Sequence, residues 1–388
     1  MSVLINRMKI VLVQSRVCFG GAEHVGVMLA NALSVHHDVV LATNTQLEVS
    51  YAISDSVKVR NIFPPIPHGV KKWTGAIQQL RQLFVQEKPD VAIGILSTCS
   101  FICKVAGVGL DIPVVATEHD AFERPDSAPM SRGNAFSKFW LNRLFDVVTV
   151  LTEADKQVIG NRLRRVVVMP NPLSLQPATM EGPNEFNDAE GNSFAKKPIV
   201  LAAGRLDSWH CKGFDVLLEA WTKVHARCKD NIQAEGWRLC IAGKDEADGL
   251  SHLQSLVRKL ELGDSVSFLG FRKDMVRLYQ EASVFALSSR YEGFGLVLVE
   301  AMSQGCACVS TDYKGRQKEI FGDAECGLLC PPEDAEALAE ALQSVMTDVA
   351  LRHRLQKNAI ERSRFFMPLH IVKLWEQLLS EVVAARKK

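Results

Sequence analysis

Two carboxylates, Glu292 and Glu300, flank a glycine-containing turn in the second half of the chain. The apolar run just before them, residues 284–287, predicts a buried strand, and residues 292–304 are predicted to form a helix with both carboxylates on one face. Unpaired backbone N–H groups at a helix start bind anions, whereas carboxylates accept hydrogen bonds from hydroxyl groups. This combination indicates a ligand that carries both phosphate and hydroxyl groups, as a sugar nucleotide does.

Two cations, Arg205 and Lys212, follow another predicted strand at residues 199–203. A diphosphate leaving group gains negative charge as its bond to a sugar breaks, so fixed cations stabilise the transition state more than the ground state. Arginine can grip two oxygens at once, while lysine acts as a point charge. The alternative interpretation is solvated surface charge.

A glycine pair, Gly20 and Gly21, opens the helix predicted at residues 21–33, directly after the first predicted strand. Without Cβ atoms, backbone amides can approach a phosphate closely. The pair therefore predicts a site for a donor diphosphate or an acceptor phosphate, although a plain tight turn would use the same residues.

Together these motifs resemble those of retaining GT-B glycosyltransferases of the family 4 type, in which two glutamates are separated by seven residues. The matching runs follow the family's order and cover most of the chain, at residues 19–23, 118–120, 169–172, 204–206, 212–215 and 292–300. They are specific for the family and not for the sugar.

The resemblance implies a role for each donor-site residue. It implies that Glu300 accepts hydrogen bonds from the ribose, that Glu292 contacts the donor sugar near C3, and that Arg205 and Lys212 hold the diphosphate. The base is expected against Phe271, after the strand predicted at residues 266–269. Backbone groups are expected to complete the donor site, at Gly20, Gly21, Gly204, Gly293, Phe294 and Gly295.

The resemblance also directs His119 toward the donor sugar, as a catalytic residue beside Arg205, Lys212 and Glu292. A neutral imidazole, or the backbone carbonyl of the same residue, is expected to hydrogen-bond a sugar hydroxyl. Asp120 is expected to orient His119 or to bind the acceptor. The alternative is a loop histidine that local hydrogen bonds satisfy.

The function implied is retaining transfer of a hexosyl or N-acetylhexosaminyl group from a nucleoside diphosphate sugar to a saccharide or lipid-linked saccharide, forming an α-glycosidic bond. The leaving phosphate would take the acceptor proton. A UDP-sugar is favoured as the donor. The alternatives are a GDP-sugar-dependent mannosyltransferase, an epimerase or phosphorylase on the same fold, and a non-catalytic module that binds sugar nucleotides or glycans.

Several motifs for metals and cofactors are missing from the sequence. There is no Asp-x-Asp pair for a divalent ion, no G-x-G-x-x-G loop and no P-loop, so we expect a metal-independent enzyme without a cofactor. The 10 cysteines form no C-x-x-C pair and several lie in apolar runs, which is typical of buried thiols in a reducing cytosol.

Apolar strand-like runs alternate with helical patterns through most of the chain, which predicts an α/β protein. With the resemblance, this gives a GT-B fold: two Rossmann-like doubly wound parallel-sheet domains facing across a cleft. The boundaries expected are an acceptor-binding domain at residues 1–172, a partly mobile linker at 173–197, a nucleotide-sugar-binding domain at 198–366, and a helix at 367–388 that crosses back to the first domain.

The net charge and the hydropathy of the sequence limit the kinds of partner that we expect. A formal net charge of +1 predicts no nucleic-acid partner, and no apolar run is long enough to span a bilayer. The N-terminus lacks a small-residue cleavage site, so a signal peptide is not expected and the protein is predicted to be cytoplasmic. Cations beside aromatic residues predict peripheral attachment to an anionic membrane, or else a solvated face, at Lys71, Lys72, Trp73, Lys138 and Trp140.

Overall fold

The computed structural model describes residues 6–18, 20–64, 70–182, 184–228 and 236–386. The chain divides into two compact units. The first unit comprises Met1–Glu123, Met130–Pro172 and Pro368–Lys388, and the second comprises Arg124–Pro129 and Leu173–Met367. The C-terminal helix, Pro368–Arg386, is therefore part of the first unit.

The first unit is built on a seven-stranded parallel sheet with the strand order β3-β2-β1-β4-β5-β6-β7. The central strands are rich in valine and isoleucine and are buried, because helices cover both faces of the sheet. Strand order reverses between β1 and β4, where ligands of doubly wound sheets bind. The strands are β1 (Lys9–Val13), β2 (Asp38–Thr43), β3 (Lys58–Asn61), β4 (Val91–Ile95), β5 (Val114–Thr117), β6 (Val147–Val150) and β7 (Val166–Val168).

Two apolar clusters fill the faces of this sheet. On one face, the C-terminal helix buries Trp375 and Leu379 in the same cluster as Leu29 and Leu33 of the first helix. On the other face, Phe84 of the second helix clusters with Ile102 of the third helix and with residues of the sheet. The helices before residue 160 are α1 (Gly21–Leu33), α2 (Val70–Glu87), α3 (Leu96–Ala106), α4 (Arg132–Phe139) and α5 (Glu153–Ile159).

The segment expected to be a mobile linker, residues 173–197, differs from that expectation. It holds a small antiparallel sheet of β8 (Thr179–Gly182), β9 (Glu185–Asn187) and β10 (Ser193–Phe194). Phe186 is buried and stacks on Phe194 at 5.4 Å between ring centroids. The buried Lys196 ammonium lies over both rings and donates to the carbonyl oxygens of Tyr279 (2.7 Å) and Gln304 (2.6 Å). These long-range contacts fold the segment onto the second unit despite its polar composition.

The second unit has a six-stranded parallel sheet with the order β13-β12-β11-β14-β15-β16. Its strands are β11 (Lys197–Ala203), β12 (Arg238–Ala242), β13 (Val266–Gly270), β14 (Ala282–Leu287), β15 (Ala307–Thr311) and β16 (Gly327–Cys330). The helices are α6 (Trp209–Lys212), α7 (Phe214–Cys228), α8 (Gly249–Lys259), α9 (Met275–Glu281), α10 (Leu296–Ser303), α11 (Arg316–Phe321), α12 (Ala335–Thr347) and α13 (Val349–Ser363). Two doubly wound parallel α/β folds are thus confirmed.

The core of the second unit centres on Trp221, which is fully buried and donates its indole N–H to the hydroxyl of Ser265 at 3.1 Å. Helices α7 and α12 pack on the sheet. The loops that carry the sequence motifs follow the carboxyl ends of the strands. Among the residues that the structure describes, no helix is long and apolar enough to cross a bilayer.

Candidate active site

The loop between β14 and α10 carries the first carboxylate, and its shape corrects one prediction. Helix α10 begins at Leu296 and not at Glu292. Gly295 precedes it with φ +86°, a left-handed conformation that side chains disfavour and that breaks the helix. Glu292 therefore lies in the loop while Glu300 lies in the helix, so the expectation that both share one helix face was wrong.

Buried backbone at this loop offers hydrogen-bond donors. Gly293, Phe294 and Gly295 are buried, and the Phe294 ring packs edge-on against Phe366 at 5.6 Å. Within the described ranges, the N–H groups of these three loop residues donate to no other group of the chain. Buried N–H groups are costly without an acceptor, so a ligand oxygen would stabilise them.

Glu292 is held by Lys212, which lies 80 residues earlier in the sequence. The Lys212 Nζ lies 2.6 Å from Glu292 Oε1, and the Ser289 hydroxyl donates to the same oxygen at 2.7 Å. Lys212 ends α6, and Gly213 follows with φ +61°. A Cβ on Gly213 would come within 1.9 Å of the Ser288 carbonyl oxygen, so only glycine permits this approach of the two loops.

A buried arginine fastens the same two loops. Arg290 donates two hydrogen bonds to Asp215, at 2.9 and 2.8 Å, and a third to Glu333 at 2.8 Å. It also donates to the backbone oxygen of His210. The sequence analysis gave no role to Arg290, which lies two residues before Glu292, and none to Asp215, although Asp215 belongs to the matching run at residues 212–215. Their pairing fixes Lys212 relative to Glu292.

Arg205 lies close to Lys212 in sequence but has other partners. Its guanidinium is 60% exposed and pairs with Asp207 at 2.5 Å and Glu246 at 3.4 Å. The structure thus brings Lys212, and not Arg205, onto Glu292. Gly204 has a steric role as well, because a Cβ there would lie 3.1 Å from the stem of the Lys212 side chain.

Glu300 is half-buried, and two hydroxyl groups of the described residues lie within hydrogen-bond distance of its carboxyl. The buried Tyr279 hydroxyl donates to its Oε2 at 3.0 Å, and Ser174 lies 3.5 Å from Oε1. Burial raises the pKa of Glu300 to about 7, against the opposing effect of these two hydroxyls. Near neutral pH this carboxyl can therefore change between an ionised form, which only accepts hydrogen bonds, and a protonated form, which also donates one. Tyr279 was not singled out from the sequence.

Phe271, the residue expected near the base, follows the end of β13 and its ring is exposed. Gly270 just before it has φ +65° and accepts a hydrogen bond from the Gly243 N–H at 2.9 Å. A Cβ on Gly243 would come within 1.7 Å of the Gly204 oxygen. Glycines thus allow the ends of β11, β12 and β13 to approach one another closely. The sequence analysis did not single out Gly243.

In the first unit, Gly20 and Gly21 lie at the N-terminus of α1, after β1. The Gly20 N–H donates to the Tyr51 hydroxyl at 3.1 Å. A Cβ on Gly20 would come within 2.2 Å of a Glu23 carboxylate oxygen, so a larger residue there would displace the end of that side chain. Glu23 is buried and pairs with Arg16 at 2.8 Å.

His119 follows β5, and its Nε2 lies 3.0 Å from the Thr117 hydroxyl oxygen. Burial, helped by the Lys138 charge, lowers the pKa of His119 to about 4, so the imidazole is neutral at physiological pH. The adjacent Glu118 is buried and accepts hydrogen bonds from Ser97 at 2.6 Å and Asn142 at 3.0 Å. The loop is therefore rigidly held on the sheet of the first unit.

Lys138 was expected to face a membrane, and the structure contradicts this. Its side chain is buried, and its ammonium donates to the Asp120 carbonyl at 2.6 Å and to Glu118 at 3.4 Å. The pattern of cation and aromatic residues was misleading because the ion pair is tertiary. At the other predicted patch, the Lys72 ammonium lies 5.8 Å from the Trp73 ring centroid, and the Lys71 side chain is outside the described residues.

No group of three or more potential metal ligands among histidine, cysteine, aspartate and glutamate is found in the part of the chain that the structure describes. Cations and carboxylates of the site form ion pairs with one another, as Lys212 and Glu292 do.

Comparison with known proteins identifies the family. The profile for Glycosyltransferase Family 4 matches residues 19–176, and that for glycosyl transferases group 1 matches residues 183–362. An α-1,4-N-acetyl-D-galactosaminyltransferase of Campylobacter jejuni, named for the substrate GalNAc-α-(1→4)-GalNAc-α-(1→3)-diNAcBac-PP-undecaprenol, is 30% identical over 383 residues. The match covers 97% of this chain and 99% of that relative.

Solved structures agree on the fold. Sucrose-phosphate synthase of Thermosynechococcus elongatus superimposes with a TM-score of 0.80 at 21% identity, over 98% of this chain and all (100%) of that one. Anabaena HepE in complex with UDP and glucose gives a TM-score of 0.75 at 20% identity, over 97% and 100%. The chain therefore belongs to the GT-B glycosyltransferases of the family 4 type, the glycosyl transferases group 1.

Proposed function

We propose that this glycosyltransferase transfers an N-acetylhexosaminyl group, with retention, from a UDP-sugar to a lipid-linked saccharide at the cytoplasmic face of a membrane. The observation that carries the proposal is the arrangement in the second unit. There the Lys212–Glu292 pair, the unpaired buried N–H groups of the loop before α10, and Glu300 combine two motifs that lie far apart in the sequence, at residues 212–215 and 292–300.

Each part suits one portion of a sugar nucleotide. Glu300 with its Tyr279 partner is proposed to hold the ribose hydroxyls. The N–H groups of Gly293 and Gly295 would donate to sugar hydroxyls or phosphate oxygens. Glu292 would accept from a donor-sugar hydroxyl, and the nearby Lys212 would contact the diphosphate.

The chemistry proposed needs only the chain's own side chains. The bond from sugar C1 to the diphosphate oxygen breaks, and the bond from C1 to the acceptor oxygen forms on the same face. The acceptor proton passes to the departing phosphate oxygen, whose charge is stabilised by Lys212 and by Arg205 after it leaves Asp207. Neutral His119 would hydrogen-bond a sugar hydroxyl without adding charge.

Relatives support the choice of sugar and acceptor. Three transferases of Campylobacter jejuni that match this chain are N-acetylgalactosaminyltransferases named for undecaprenyl diphosphate-linked acceptors. UDP is the nucleotide in the complexes of several structural neighbours, including a pneumococcal O-GlcNAc transferase. These facts favour UDP-GalNAc or UDP-GlcNAc as the donor to test first.

Ligand-induced stabilisation tests the donor assignment. UDP and the two UDP-sugars should raise the melting temperature, whereas GDP and GDP-mannose should not, because a ligand that binds only the folded state stabilises it by mass action. Glu300→Ala should lose the shift with bare UDP, while Glu292→Ala should keep it and lose sugar transfer. A shift with GDP-mannose alone would support the mannosyltransferase instead.

Metal independence is tested in the same preparation. Release of UDP in the presence of acceptor should persist in excess chelator, since Lys212 and Arg205 supply the positive charge. Loss of activity on chelation with recovery on adding Mn²⁺ would overturn this part. Binding of UDP-sugar without any turnover, across a panel of lipid-linked acceptors, would favour a non-catalytic module.

A further inference from the structure

One exposed face of the first unit is both aromatic and apolar. Phe136, Trp140 and Leu144 are 56%, 58% and 47% exposed. The Trp140 N–H donates to the Phe136 carbonyl at 2.9 Å, so helical geometry continues from α4 to Trp140 and places both rings on one side. Clustered large apolar side chains on a surface mark interaction sites.

The segment that forms this face carries no acidic residue. The sequence contains no aspartate or glutamate from residue 127 to residue 145. Arg132, Arg143 and Arg162 are exposed, and within the described residues none of them forms an ion pair with a carboxylate. The Arg143 guanidinium stacks on the Trp140 ring at 4.4 Å and donates to the Arg162 carbonyl at 3.1 Å.

The opposite side of the same helix anchors it firmly. Lys138 is buried against Glu118 and the Asp120 carbonyl, and Phe139 packs edge-on against Phe122 at 5.7 Å between centroids. The exposed rings are therefore not needed to hold α4 on the unit. They are presented by a helix that is fixed to the loop bearing His119.

We propose that Phe136, Trp140 and Leu144, with Arg132, Arg143 and Arg162, form a docking face for an anionic lipid bilayer; this deepens the proposed function by naming the surface that meets the membrane. Aromatic side chains favour the interfacial region of a bilayer, and arginine pairs with lipid phosphates. We name these six residues the arginine–aromatic face.

A second copy of the chain is a less suitable occupant. In a two-fold symmetric dimer the same patch meets itself, so the unpaired guanidinium groups of both copies would be brought together. Like charges opposed at an interface are costly, whereas anionic headgroups neutralise them. The predicted patch at Trp73 presents less apolar surface, because Trp73 is 37% exposed against 58% for Trp140 and the neighbouring Phe63 is buried.

Vesicle flotation tests the arginine–aromatic face. Wild-type protein should float with vesicles of phosphatidylcholine and phosphatidylglycerol at low salt, and much less with phosphatidylcholine alone or at high salt, because screening weakens the attraction. The double variant Phe136→Glu/Trp140→Glu should lose at least tenfold in partitioning. Arg143→Glu, which leaves both rings in place, should lose about fivefold or more, as for one removed headgroup contact.

Trp73→Glu is the control for position, because it places a glutamate at another exposed tryptophan of the first unit. It should float like the wild type. The proposal is overturned if the double variant floats as well as wild type, if binding is equal on neutral and anionic vesicles, or if the double variant instead converts a dimer to a monomer in sedimentation.

The UDP-induced melting shift separates this proposal from the function proposed above. All variants of the arginine–aromatic face should keep the wild-type shift, which also shows that they fold. If wild type shows no shift with UDP but floats as described, the donor assignment fails and the docking face stands. If it shows the shift but does not float at low salt, the docking face fails and the donor assignment stands.

Discussion

The affinity for the donor should depend on pH through Glu300. Among the described residues, the hydroxyls of Tyr279 and Ser174 donate to this carboxyl, and burial raises its pKa to about 7. The proposed ribose contact uses the carboxylate, because two hydroxyl donors are best matched by two acceptor oxygens. Binding then requires the ionised form, so affinity should fall as the pH drops through the neutral range.

The size of the effect follows from the ionised fraction. With a pKa of about 7, roughly one carboxyl in eleven is ionised at pH 6 and roughly one in a hundred at pH 5. The dissociation constant should therefore rise about tenfold between pH 8 and pH 6, equivalent to about 1.4 kcal/mol, and about another tenfold by pH 5. Above about pH 8 it should level off.

Isothermal titration with a UDP-sugar measures this directly, because both phosphates of the donor keep their charge across this range. Tyr279→Phe removes a hydroxyl that favours the carboxylate, so the pKa of Glu300 should rise. The loss of affinity on acidification (the acid limb of the pH profile) should then begin at higher pH. Glu300→Gln should bind weakly and without the limb. A wild-type affinity that is flat from pH 8 to pH 5, or a limb that survives in Glu300→Gln, would refute the reasoning.

Three further predictions concern single side chains. Lys212→Ala and Arg205→Ala should each lower kcat by about 100-fold with a smaller change in donor affinity, as for loss of a transition-state charge contact, and near-normal turnover in both would exclude these cations from catalysis. His119→Gln should lower kcat yet leave the shape of the pH–rate profile unchanged, because the pKa of the imidazole is already about 4; a lost or displaced limb would contradict this. Lys196→Ala should lower the free energy of unfolding by about 2–4 kcal/mol in denaturant titrations, because two buried carbonyls lose their donor, and an unchanged value would contradict it.

Much of the architecture was accessible from the sequence. Apolar runs, such as those in β4 and β14, predicted buried parallel strands because helices cover both faces of each sheet. The start of α1 was also predicted correctly, because Gly20 and Gly21 mark it. Local patterns succeed where the determinants are local.

The errors arose where distant residues decide the outcome. Residues 173–197 look like a linker until Lys196 and Phe186 are placed against the second unit. Lys138 resembles a surface cation until Glu118, 20 residues earlier in the sequence, is found beside it. The pairing of Lys212 with Glu292 spans 80 residues and leaves no local signal in the sequence. The left-handed turn at Gly295 is a local feature that was overlooked, although glycine is the residue that permits it.

The most direct test of the proposed function is the anomeric configuration of the product. Purified protein would be incubated with UDP-GalNAc or UDP-GlcNAc and an undecaprenyl diphosphate-linked saccharide in anionic vesicles, with Glu292→Gln as the inactive control. Nuclear magnetic resonance of the released glycan should show one added N-acetylhexosamine in α-linkage, formed with stoichiometric release of UDP. A β-linked product, or transfer from a GDP-sugar and not from either UDP-sugar, would contradict the account.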